Sequence, residues 1–82
     1  MIDYETVLQN LVSPIADDAG SVTVKRMESL NDEEIVLYVY AKSDDIARLI
    51  GRKGQMARAI RDTLAIAGRK EGKRITVKFE EY

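Results

Sequence analysis

Gly51-Arg52-Lys53-Gly54 sets two cations between two glycines, with apolar-periodic segments on both sides: Ile46, Leu49 and Ile50 before it, Met56, Ile60 and Leu64 after it. Glycine has no Cβ, so main-chain N–H groups at such a turn can come close to a phosphate oxygen. Arg52 and Lys53 add full positive charge at the same point. A helix starting near Gln55 would contribute free N–H donors and the positive end of its dipole. The chemistry spelled by these residue types is capture of a phosphodiester chain, with no covalent step.

Other chemistry finds little support. The 82 residues include no histidine and no cysteine, which removes the commonest general base, thiolate nucleophiles and disulfides. The acidic pairs Asp17-Asp18, Asp32-Glu33-Glu34, Asp44-Asp45 and Glu80-Glu81 read as helix caps and solvated turns, with no metal or cofactor implied. The net charge is −1, but its distribution is uneven. Nine basic residues against Asp62 and Glu71 give the stretch 48–74 a net of +7, leaving −8 for the remainder. A focused basic segment in a near-neutral chain is the electrostatic footprint of an anionic polymer.

The elements that must position this loop follow from local patterning. Tyr4, Val7, Leu8, Leu11, Val12 and Ile15 keep helical spacing behind an Asp3 cap, and Pro14 ends the helix near Ser13. Residues 22–27 read as a strand. Residues 34–40 are the strongest strand, with Ile35, Leu37 and Val39 on one face and Val36, Tyr38 and Tyr40 on the other. Tyr38 and Tyr40 either pack across the sheet or lie in an interface. Ser43 is the expected N-cap of a helix that Gly51 stops. The next helix is expected over 55–67, with Met56, Ile60, Leu64 and Ala67 buried, Arg58 and Arg61 toward solvent, and Gly68 ending it. Ile75, Val77 and Phe79 then alternate along a last strand, with Phe79 in the core. One domain, 1–82, is expected: a two-layer α+β fold in the order α-β-β-α-α-β, its small mixed sheet covered by three helices. No apolar run approaches the ~20 residues that span a bilayer. The start Met1-Ile2-Asp3-Tyr4-Glu5 lacks the pattern of a signal peptide, so a cytoplasmic location is expected.

At this point the chain resembles a KH domain of the bacterial, type II order. Leu49-Ile50-Gly51-Arg52-Lys53-Gly54-Gln55-Met56-Ala57-Arg58-Ala59-Ile60 resembles the KH signature, an aliphatic-Ile-Gly-x-x-Gly stretch followed by a helical aliphatic stripe. Ala57 stands where many KH domains carry a bulkier aliphatic residue, which bears on the groove floor. The length, and the phrase Ile50-Gly51-Arg52-Lys53-Gly54 with Ala59-Ile60-Arg61, are similar to the small KhpA family. The resemblance implies a non-catalytic RNA-binding module that pairs with itself, with a larger Jag-type KH protein, or with both. It further implies RNA chaperoning and control of cell length and cell-wall growth.

The expected groove holds about four nucleotides of single-stranded RNA, with its backbone on Gly51, Arg52, Lys53 and Gly54. Ile46, Leu49 and Ile50 form one wall, and the 35–40 strand forms the other, offering backbone groups to base edges. Arg48 and Arg58 are further candidate contacts, and the loop carrying Arg69, Lys70 and Lys73 closes one end. No membrane and no small-molecule substrate are expected. Two other classes remain in view. A protein–protein adaptor would use the fold mainly to dimerise through the outer face of the 34–40 strand. A helix-turn-helix DNA binder is disfavoured, because the second helix is poor in the Asn and Gln that read base edges.

Overall fold

The computed structural model describes residues 3–82. The signal-peptide reading rests partly on Met1 and Ile2, which lie outside them. Three helices, α1 (Tyr4–Val12), α2 (Ser43–Ile50) and α3 (Gln55–Arg69), cover one face of a three-stranded sheet, β1 (Thr23–Met27), β2 (Glu34–Ala41) and β3 (Arg74–Glu81). β2 is central. It pairs antiparallel with β1, with Val24 opposite Val39, and parallel with β3, with Ile35 opposite Ile75 and Leu37 opposite Val77. The α-β-β-α-α-β order and the α+β class are those expected.

Alternation along β2 decides the layering. Ile35, Leu37, Val39 and Ala41 are buried, while Val36, Tyr38 and Tyr40 are half-buried on the side without helices. The helices fill the first face with Tyr4, Leu8 and Val12 from α1, Ile46 and Leu49 from α2, and Ile60 and Leu64 from α3. α1 begins as its sequence dictates. The Asp3 carboxylate accepts the amides of Glu5 and Thr6 at 3.1 and 3.3 Å, satisfying two of the donors that a helix start leaves orphaned. Its regular turns stop at Val12, with Ser13 as the cap ahead of Pro14. The buried Tyr4 hydroxyl donates to Glu71, which fastens α1 to the turn after α3. Burial first, and this bond second, push the phenol up to about 12.

Three local expectations need correction. The cap of α2 is Lys42 rather than Ser43. β2 runs straight into the helix, and Ser43 makes no capping bond from its side chain. Asp45, expected to sit in a solvated first turn, is instead buried at 2% exposure. It accepts the amides of Asp17 and Asp18 at 2.8 and 3.2 Å and a bond from Arg48 at 3.2 Å. The amide of Asp17 above all, against the cost of burial, holds this carboxyl below its ordinary value. At the other end, α3 passes through Gly68 and stops at Arg69. Gly68 serves close packing, since a Cβ there would lie 2.7 Å from both Ile75 Cγ1 and the Lys73 carbonyl.

Candidate nucleic-acid interface

The loop between α2 and α3 is built from backbone that ordinary residues avoid. Gly51 (φ 76°, ψ 176°) leaves α2, and Gly54 (φ 76°, ψ 12°) is left-handed at the start of α3. Lys53 between them is also left-handed (φ 55°, ψ 25°), the only non-glycine with positive φ among the described residues. Gly51 is required twice. Its φ excludes side chains, and a Cβ would lie 2.7 Å from Met56 Cβ and 3.0 Å from the Met56 amide nitrogen. Gly54 is required for its φ alone, because a Cβ there would meet nothing within 4 Å. The space over Gly54 is therefore open to a ligand.

A helical residue followed by a left-handed one turns successive N–H groups into a shared concavity, which binds anions. Arg52 and Lys53 have this arrangement. Gly54 donates to the Gly51 carbonyl at 3.2 Å and Gln55 to that of Arg52. Among the described residues, the amides of Arg52 and Lys53 have no backbone acceptor. Both side chains are exposed and neither enters a salt bridge, again among the described residues. The loop presents two free amides, two cations and an uncovered glycine to the same solvent.

The apolar wall differs from the sequence expectation. Leu49 is fully buried and Ile46 is 7% exposed, so both belong to the core and offer no surface to a strand. Ile50 and Met56, each 38% exposed, flank the loop instead. Met56 was expected in the core, where Ala57 sits at 3% exposure. The buried stripe of α3 is Ala57, Ile60, Leu64 and Gly68, and Met56 falls one position off it. Arg48 is exposed but engaged by Asp45, so it acts first as a fold contact.

The opposite wall is also corrected. β2 is hydrogen-bonded on both sides, and its backbone has nothing left for base edges. The strand with a free edge beside α3 is β3. There Arg61 donates from Nε to the Val77 carbonyl at 3.2 Å and holds its guanidinium 5.5 Å from the centre of the Phe79 ring. Arg61 is exposed, as expected, and is also tied to the sheet. Phe79 is half-buried, not wholly in the core. Neither contact carries a local signal, because each joins residues at least sixteen positions apart.

Arg58, Arg69 and Lys70 are exposed, and Lys73 is half-buried, bonding the Asp32 carbonyl at 2.8 Å. The basic turn stands at the far end of α3, about 22 Å from the glycine loop at 1.5 Å per residue. The two basic groups are therefore separate, and only a strand running the length of α3 would touch both. Among the described residues, no cluster of three or more carboxylates is placed to hold a metal, and no helix is long and apolar enough to cross a membrane.

Residues 5–79 match the sequence model of the KhpA/KhpB KH domain. The chain belongs to this family. It is 31% identical over 78 residues to a Bacillus subtilis protein, covering 95% of this chain and 91% of the relative. A Clostridium acetobutylicum relative is 29% identical over 73 residues (89% and 95% coverage), and one from Aquifex aeolicus is 27% identical over 81 (99% and 100%). All three are named RNA-binding protein KhpA. The family is one of KH-domain proteins and not of enzymes. No solved structure matches the chain.

Proposed function

We propose that this KhpA/KhpB-family protein binds single-stranded RNA and holds its phosphodiester backbone on Gly51, Arg52, Lys53 and Gly54. The observation that carries this reading is the loop itself. Three of its four residues have positive φ, and among the described residues two of its amides have no backbone acceptor and its two exposed cations enter no salt bridge. Such a loop costs stability, and an anion would satisfy its free amides and cations at once. Ile50 and Met56 would border the first bases. β3, with Phe79 beneath Arg61, would border the other side. The names of the relatives point the same way. By family resemblance the reading extends to a cytoplasmic RNA chaperone or post-transcriptional regulator. It would pair with itself or with a larger Jag-type KH protein, in control of cell length and cell-wall growth.

The test is binding of a short fluorescent single-stranded RNA at two salt concentrations, to wild type and to Arg52→Asp/Lys53→Asp. Salt-sensitive affinity that is lost in a folded double variant is the expected result. Unchanged affinity would remove the loop from the interface. The half-buried outer face of β2 favours a second reading, an adaptor that binds proteins. Absent RNA binding combined with a stable oligomer by light scattering would establish that reading instead.

A further inference from the structure

The sheet face without helices has an organisation of its own. Tyr38 and Tyr40 project from β2 with ring centres 5.9 Å apart and planes within 19°. Tyr82 extends the row, 6.4 Å from Tyr40 and within 25° of its plane. Its hydroxyl reaches across β2 to bond the Ser21 carbonyl and lies 2.8 Å from Thr23 Oγ1, which fixes the ring over the end of the sheet. Three aromatic rings thus keep nearly one orientation along one row.

Register places the charges around them. Lys25 of β1 lies directly opposite Tyr38, and Lys78 of β3 lies opposite Tyr38 on the other side. Both lysines are exposed, and neither enters a salt bridge among the described residues. The next row toward the start of β2 is Met27, Val36 and Thr76. Beyond it the acid Glu34 is neutralised by Arg74 at 2.6 Å. The single acid in the Tyr40 row is Glu80.

We infer that this face is a second contact surface for single-stranded RNA, with bases against Tyr38, Tyr40 and Tyr82 and the strand's phosphates near Lys25 and Lys78. The inference rests on the RNA-binding reading above and extends it to longer strands. Aromatic rings supply sequence-tolerant stacking, and flanking cations track the backbone. Charge complementarity favours RNA over a second copy of this chain. A two-fold contact centred on Tyr38 would set Lys25 and Lys78 against their own counterparts. The helices and the glycine loop lie on the other side of the sheet. A strand only as long as the four-nucleotide clamp cannot use both surfaces. One long enough to wrap a body of 33 × 22 × 19 Å can.

Length dependence therefore separates the two surfaces. Affinities for 5- and 20-nucleotide single-stranded RNAs would be measured by fluorescence anisotropy, for wild type, Lys25→Glu/Lys78→Glu, Tyr38→Leu, Tyr38→Phe and Arg52→Asp/Lys53→Asp, with folding checked by circular dichroism. The inference expects Lys25→Glu/Lys78→Glu and Tyr38→Leu to weaken 20-nucleotide binding about tenfold. It expects them to leave 5-nucleotide binding unchanged and Tyr38→Phe to retain both. Photocrosslinks from 4-thiouridine in the longer RNA should map to Tyr38, Tyr40 or Tyr82. Unchanged 20-nucleotide affinity in the folded face variants, with binding lost only in the loop variant, would overturn this inference and leave the loop reading standing. Wild type that binds neither RNA would overturn both. Face variants that dissociate an oligomer without altering RNA affinity would assign the face to a protein partner and overturn the inference.

Discussion

Lys53 is the residue where geometry and charge pull in opposite directions. It is held left-handed, a conformation that costs a side-chain-bearing residue on the order of 1 kcal/mol relative to glycine. Lys53→Gly should therefore raise stability by about that amount, read as a higher midpoint in urea, while weakening RNA binding through loss of one cation. A variant that lost both stability and affinity would show the lysine to be structural. Gly51 and Gly54 separate in the same way. The first is hemmed in by Met56 and the second opens onto solvent, so the space over Gly54 is the one a ligand could enter. The loop was legible from residue types alone. Its walls were not. Leu49, Ile50, Met56 and Ala57 are all apolar or small, and both 56-60-64 and 57-60-64 keep helical spacing, so the phase of α3 against the core decides which of them turns outward.

Elements whose signal is local are legible in the sequence. Alternation along 34–40 and 75–79, helical spacing from Tyr4 with an end near Ser13 and along 55–67, and the stop at Gly51 all place segments to within a few residues. Elements defined by a distant partner are not legible there. β2 looked like a groove wall because it is the most apolar strand. The same apolarity suits it to the centre of the sheet, where neighbours consume its hydrogen bonds. Asp45 looked like a surface cap because its two partners, the amides of Asp17 and Asp18, are nearly thirty residues away. That tie has a pH signature. The folded carboxyl titrates below its unfolded value of about 3.9, so its contribution is complete above that value and disappears as acid protonates the folded form. Asp45→Asn should lower the melting temperature by several degrees at pH 7. The gap to wild type should narrow as pH falls below about 4, and an equal gap at pH 7 and pH 3 would argue against a charged tie.

For the whole molecule, the uneven charge matters more than its net value of −1. The basic stretch 48–74 does not gather at one spot. Its cations divide between the loop, the far end of α3 and contacts that serve the fold, as Arg48 and Arg61 do. Few phosphates can then be neutralised at once, and the salt dependence of binding should be shallow. Each phosphate contact on a single strand contributes about 0.7 to the slope of log affinity against log salt. Arg52→Asp/Lys53→Asp should reduce the slope measured on a short RNA by at least about 1.4. A reduction of that size on a short strand and a smaller fractional loss on a long one is the pattern that two surfaces would give.

The bond from Arg61 to the Val77 carbonyl has a consequence unrelated to RNA. β3 is an outermost strand, and an unpaired strand border is a template on which further chains can add. Arg61 occupies one acceptor of that border and lays its guanidinium over Phe79, so an incoming strand meets a fixed cation where it would need a free carbonyl. Removing the side chain would free that acceptor and uncover the ring. Arg61→Ala should leave the fold intact and shorten the lag before thioflavin fluorescence rises in a concentrated, agitated sample.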